Sequence, residues 1–295
     1  MSYSGFRFFP HLFFVNVCLA GFLAADTPDA AGPAVDDKAD RILREMAGYV
    51  QKLDSFRVTI HTAVDAEIRG VKQDFSSIGD LAVQNPNKMA IRVESDKGGG
   101  RVVCDGEKIY KYIPAVKRYT VNDAPASLAE MNPQEALGVA GGFPVLAALI
   151  SDRPHELLMK DVTAANYKGT EKLEDGTVCH RIELEQDAFN WEAWISEGDR
   201  GVLRKIVPDL TKMIERIRQK GGGGEDAEVR YEMKITLNDW QTNTDLPATL
   251  FAFDPPKGVE KASSLMPPSP PQGGEHPLLG KSAPTRLNRA RRSSF

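Results

Sequence analysis

The side chains able to do chemistry are few, and poorly spaced for it. Beyond the first 25 residues the histidines are His61, His155, His180 and His276, and none stands in a His-Glu-x-x-His run. The two cysteines of the same stretch, Cys104 and Cys179, are far apart, so no metal-ligand spacing is present. A Gly-x-Ser-x-Gly elbow is absent, and neither cysteine has a general base at a recognised spacing. Gly280-Lys281-Ser282 matches the end of a phosphate loop, but Glu275 stands where that loop's first glycine belongs and no strand precedes it. Carboxylates are plentiful, yet spacing singles out no acid–base pair. The expectation is a protein that is not an enzyme and uses no metal or cofactor.

What remains is apolar and aromatic. Phe56, Val58 and Ile60 alternate along one run, Ile91 and Val93 along a second, Ile109 and Tyr110 lie in a third, and Tyr231 and Met233 in a fourth. Trp191 shares parity with Phe189 and Ile195, whereas Trp194 falls on the opposite face of an unbulged strand. Such side chains either fill a core or line an apolar pocket. Cys104 and Cys179 sit on strand-like runs; in an oxidising compartment they pair if their Cα atoms come within about 7 Å, and otherwise stay as two buried thiols.

The elements that must position these residues follow from periodicity. Ile42, Met46, Tyr49, Val50 and Leu53 form one stripe, predicting a helix over Asp36–Leu53 with Asp36 and Asp37 at its start. From Phe56 the period is two. Strands are predicted at 56–64, 71–81, 89–93, 101–104, 108–113 and 117–121, then 166–174, 178–185, 189–196, 202–214 and 229–237. Short helices at Phe143–Ile150 and Pro154–Lys160 interrupt the meander, and Gly221–Gly224 reads as a hairpin loop. The fold class is α+β: a large curled antiparallel sheet of roughly ten strands, a half-open barrel, with a long N-terminal helix and short helices against its concave face. Phe143, Leu146 and Leu149 belong to the natural lid.

The two ends differ from this middle. Residues 1–25 combine Arg7 with a short apolar stretch ending Leu-Ala-Ala, a secretory signal peptide rather than a span of the ~20 residues a membrane helix needs. Residues 26–35 read as a flexible linker, 36–262 as one domain, and 263–295 as a disordered tail, first rich in Pro, Gly and Ser, then basic. Arg7 apart, and with the five basic residues and Glu275 of the last 21 set aside, the middle holds 31 Lys/Arg against 40 Asp/Glu. That is a net −9 where the whole chain is −4. An acidic domain argues against a nucleic-acid partner.

Several phrases carry a family likeness: the Phe56-Arg57-Val58 strand after the helix, Cys104-Asp105-Gly106 with Tyr110-Lys111-Tyr112, Trp191-Glu192-Ala193-Trp194-Ile195 with Leu203-Arg204-Lys205-Ile206, and Phe251-Ala252-Phe253-Asp254-Pro255-Pro256-Lys257-Gly258. In this order over residues 36–261 they resemble the LolA-like superfamily of periplasmic lipoprotein carriers, in particular its family of predicted periplasmic proteins of unknown function. The resemblance implies a half-barrel with a helical lid and an apolar cavity for an acyl chain, lipid or lipoprotein, in a carrier or an envelope sensor. The alternative is an interaction module for an envelope regulator or a thioredoxin-like redox enzyme. Pro277-Leu278-Leu279-Gly280-Lys281-Ser282-Ala283-Pro284 resembles the start of a redoxin domain whose Trp-Cys-x-x-Cys site does not follow.

Overall fold

Asp36 opens helix α1, Asp37–Gln51: its carboxylate accepts from the N–H groups of Lys38 (2.7 Å) and Ala39 (3.4 Å), two of the donors a helix start leaves free. The helix buries Ala39, Ile42, Leu43, Met46, Ala47 and Val50 along one stripe. The computed structural model describes residues 34–68, 70–96, 98–131, 144–219 and 229–265. Residues 1–33, Phe143, Gly221–Gly224 and the tail from Met266 lie outside the described residues, as do the expectations placed on them, the signal peptide among them.

Beyond α1 the chain alternates in and out through β2 (Ser55–Ile68), β3 (Val71–Gln84), β4 (Lys88–Ser95), β5 (Gly98–Asp105), β6 (Lys108–Ile113) and β7 (Arg118–Asp123). After the insert come β8 (Val162–Lys172), β9 (Val178–Gln186), β10 (Asn190–Ser196), β11 (Leu203–Asp209) and β12 (Val229–Thr242). Two-residue strands close the edges: β1 (Ala34–Val35) lies parallel to β8, and β13 (Glu260–Lys261) parallel to β7. The result is one thirteen-stranded sheet in the order β1-β8-β9-β10-β11-β12-β2-β3-β4-β5-β6-β7-β13. The α+β class holds; the strand count exceeds the expected ten mainly through the edge strands, which are too short to show alternation.

The predicted strand 202–214 is shorter than expected. It stops at Pro208-Asp209, and Asp209 accepts from the Thr211 N–H (3.0 Å) to start helix α3, Thr211–Gln219. Gly98–Gly100 are the first residues of β5, where a Cβ on Gly99 would stand 2.1 Å from the Val93 carbonyl oxygen. The insert forms a 3-10 segment, Pro144–Ile150, and a short helix α2, Pro154–Leu158.

One face of the sheet, here the inner face, packs against α1, the 3-10 segment and α2 in a single core. The outer face of β3–β6 carries Ala82, Ala90, Val103 and Tyr110 in one cross-strand row. Small residues in that row leave room for Leu246, Leu250, Phe251 and Phe253 of the C-terminal strap, a second cluster.

Candidate functional site

The inner face is the candidate site, and its depth changes along the strands. Registers between β12, β2, β3, β4 and β5 align Leu237, Ile60, Gly79, Val93 and Gly100 in one row, with Val58, Leu81, Ile91 and Val102 in the next. These rows lie under the helices: Val58, Leu81, Ile91 and Leu237 are fully buried. Phe56, Ile109 and Trp191 are buried with them, as are Leu146 and Leu149 of the insert. Most of the residues expected to line a cavity thus form a closed core beneath the insert.

At the other end the three longest strands continue past this cover. Along β12, burial falls from Leu237 and Ile235 to half-buried Met233, Tyr231 and Val229. Their partners on β2 are Ile60, Thr62, Val64, Ala66 and Ile68, and Phe75 on β3 faces Val64. A crevice of about 290 Å³ lies beside β12 here, between Thr211, Ile214, Glu215 and Arg218 of α3 and Val229, Arg230, Tyr231 and Glu232 of β12, residues of both faces of that strand. Burial pushes the Tyr231 phenol above its ordinary pKa, as an apolar setting should. Tyr231 and Met233 are the sequence-expected residues that line this open strip. Val64, Phe75 and Ile214 join them. Val64 and Phe75 share the alternation of their strands, while Ile214 is hidden from such a reading because α3 reads as strand.

Tyr110 does not belong to the site. It lies on the outer face, stacked on Phe253 with ring centroids 5.2 Å apart, because the run Ile109-Tyr110 alternates and Ile109 takes the inner side. Trp191 and Trp194 divide as their parity predicts. Trp191 points inward, and Trp194 is buried on the outer face with Lys205 Nζ 3.7 Å from its ring centroid. The register shift between Trp194 and Ile195 makes Arg204 the extra residue on β11. Cys104 and Cys179 are both free and buried. They cannot pair here: six strands separate β5 from β9, and Cys104 shares its row with Met89 and Ile109 of the inner face, whereas Cys179 faces outward beside Ser196. Burial raises both thiols, Cys179 to about 11.

One sequence-silent residue completes the inner face. A register shift between Asn238 and Gln241, with Asp239 at φ 54°, turns Trp240 inward. Its ring lies 5.5 Å from that of Phe56, and its Nε1–H donates to the Leu203 carbonyl at 3.0 Å. The insert is tied down by His155 Nε2 and Asp40 Oδ1 at 2.9 Å, between α2 and α1, and by Gln51 donating to the Asp152 carbonyl. Arg44 and, more weakly, His155 hold the Asp40 carboxyl below its ordinary value against the opposing effect of burial.

A larger groove, about 680 Å³, lies on the outer face between hairpin β4–β5 and the C-terminal strap. Its arginines are committed: Arg92 to Glu94, and Arg101 to the carbonyls of Leu250 and Ala252. Among the described residues no group of three or more His, Cys, Asp or Glu is placed to hold a metal ion, and no helix is long and apolar enough to cross a membrane.

A family model described as "Predicted periplasmic protein (DUF2092)" matches residues 39–264, which is α1, the whole long-stranded sheet and the strap. The chain belongs to this family. Its periplasmic location agrees with the exported protein read from the first 25 residues. No curated protein matches. Among solved structures the chain is similar to an uncharacterised conserved protein from Thermus thermophilus, at 11% identity and TM-score 0.42 over 77% of this chain and 99% of that one. It is also similar to LprF from Mycobacterium bovis, at 13% and 0.40 over 74% and 98%. A LolA superfamily protein from Nitrosomonas europaea is similar at 14% and 0.30 over 73% and 97%.

Proposed function

We propose that the protein is a non-enzymatic periplasmic carrier or sensor that shelters an acyl chain on the inner face of its sheet, taking it up over the strip lined by Val64, Phe75, Tyr231 and Met233. The observation that carries this reading is the fall in burial along β12, from Leu237 and Ile235 to Met233 and Tyr231, without any change in apolar character. A core needs no such continuation, because apolar surface left partly in water forfeits part of its burial energy. A chain laid on the strip completes that burial. At about 0.8 kcal/mol per CH₂, a long acyl chain gains on the order of 10 kcal/mol before ordering costs, enough for reversible binding with no catalytic group.

The test is binding of a pyrene-labelled fatty-acid methyl ester to the purified, delipidated full chain, followed by pyrene emission and by native mass spectrometry. A saturable one-to-one complex, competed by unlabelled fatty acid, is expected. No saturable binding up to the solubility limit of the probe would sink the proposal.

A further inference from the structure

We propose that Trp191 donates its indole N–H to a carbonyl oxygen of the bound chain, which makes the ligand an acyl compound and not a plain hydrocarbon. This rests on the acyl-chain reading above and assigns the polar end of the ligand within that site.

Three observations converge on Trp191. The side chain is 1% exposed, and its Nε1–H has no hydrogen-bond partner. An indole N–H is a donor only, so it cannot be satisfied by rotating a hydroxyl, and left unpaired it carries the full desolvation cost of the group. The fold does satisfy another inward indole, since Trp240 Nε1–H reaches the Leu203 carbonyl. Trp194 Nε1–H is unpaired as well, but it lies on the outer face beneath Lys205, away from the site.

Position supplies the third observation. Trp191 pairs with Leu184 on one side and Pro208 on the other. Continuing the β11–β12 register, in which Ile206 faces Ile235, sets Pro208 opposite Met233. Met233 faces Val64, which faces Phe75. Trp191 therefore lies in the buried part of a row that Leu184 and Ala165 continue into the closed core on one side and that reaches the open strip at Met233 on the other. Five strands at about 4.8 Å spacing put Phe75 about 19 Å from Trp191 along that row, and the side chains between them are apolar. An acyl chain laid along it from Phe75 meets at Trp191 the one side-chain donor of that row, the unpaired indole N–H.

The experiment compares two probes with the same body, the methyl ester of pyrenedodecanoic acid and dodecylpyrene, which has no oxygen. Both are titrated into the full chain and into Trp191→Phe, with Trp194→Phe as control. The ester should weaken by about two- to tenfold in Trp191→Phe, the loss of one neutral hydrogen bond, while dodecylpyrene and the control are unchanged. Equal weakening of both probes, or of neither, would overturn the assignment, since it would make Trp191 a packing residue only. If the wild-type chain binds neither probe, the acyl-chain reading itself fails. A second measurement does not depend on the variant's folding: in protein labelled with ¹⁵N-indole, the Trp191 N–H resonance should move downfield with the ester and stay in place with dodecylpyrene. A resonance indifferent to both would overturn the assignment.

Discussion

Ile91→Ala decides whether the inner face beneath the insert is closed core. Ile91 is fully buried, between Leu81 on β3 and Val102 on β5, in the core that also contains Leu43 of α1 and Leu146 of the insert. The substitution removes three carbons, roughly 2 kcal/mol of transfer energy at about 0.8 kcal/mol each. The cavity left behind brings the expected loss to about 2–5 kcal/mol. In a domain of this size each kcal/mol lowers Tm by about 2–4 °C, so a fall of roughly 4–20 °C is expected. Urea unfolding without ligand, followed by far-ultraviolet circular dichroism, measures the loss directly. Met233→Ala is the counterpart at the open end: its side chain is only partly buried, so it should cost less than Ile91→Ala while weakening the pyrene ester. A loss under about 1 kcal/mol at Ile91, with a larger one at Met233, would refute the gradient of burial on which the site is built.

Three further outcomes are expected. Lys205→Met, which removes the ammonium 3.7 Å above the Trp194 ring and its 3.9 Å approach to Glu171, should destabilise by about 0.5–2 kcal/mol in urea unfolding at pH 7; no change would show the stack to be energetically idle. Asp40, Asp123 and Asp175 are held below the ordinary 3.8, chiefly by the Arg44 side chain, the Lys108 ammonium and the Thr177 N–H respectively. Folded-state values below the unfolded ones contribute stability that is complete above pH 3.8 and lost as pH falls through the folded values. The urea midpoint should therefore fall below about pH 4, and Asp175→Asn should flatten that fall; a midpoint that rose there would contradict the assignment. Finally, Ellman's reagent at pH 8 should label neither Cys104 nor Cys179 in the native protein and both in guanidinium without reductant, whereas a missing pair in guanidinium would reveal a bridge.

The fold was legible wherever one face of an element is buried over many residues. The α1 stripe and the alternation through β2, β4 and β12 place Phe56, Val58, Ile60, Ile91 and Val93 on one face, and the registers keep them there. Parity likewise separates Trp191 from Trp194. The errors cluster where local sequence underdetermines the backbone. Met213-Ile214 continues an apolar run past Pro208, and the Asp209 cap that turns it into helix is a three-residue event. The shift that swings Trp240 inward depends on Asp239 adopting a left-handed conformation that nothing in its neighbours requires. Tyr110 shows a different limit. Alternation tells which residues share a face, but not that the C-terminal strap makes a second apolar face on the far side of the sheet.

Strand length connects this architecture to its proposed use. β2, β3 and β12 each run 14 residues, against 7 or 8 for β4, β5, β10 and β11. At about 3.4 Å per residue the long strands overhang the short ones by roughly 20 Å. The insert from Pro144 to Leu158 covers the part where long and short strands run side by side, and no described helix but α3 lies against the overhang. A sheet stabilised only by its core has no need of inward apolar residues on strands that project beyond it, and ordinary surface selection would make them polar. Here Val64, Phe75, Tyr231 and Met233 retain the inward pattern, while their outward neighbours Asp65, Asp74, Glu232 and Lys234 are charged and exposed. The alternation thus persists beyond the fold's own need for it, which is the pattern expected of a surface that something else completes.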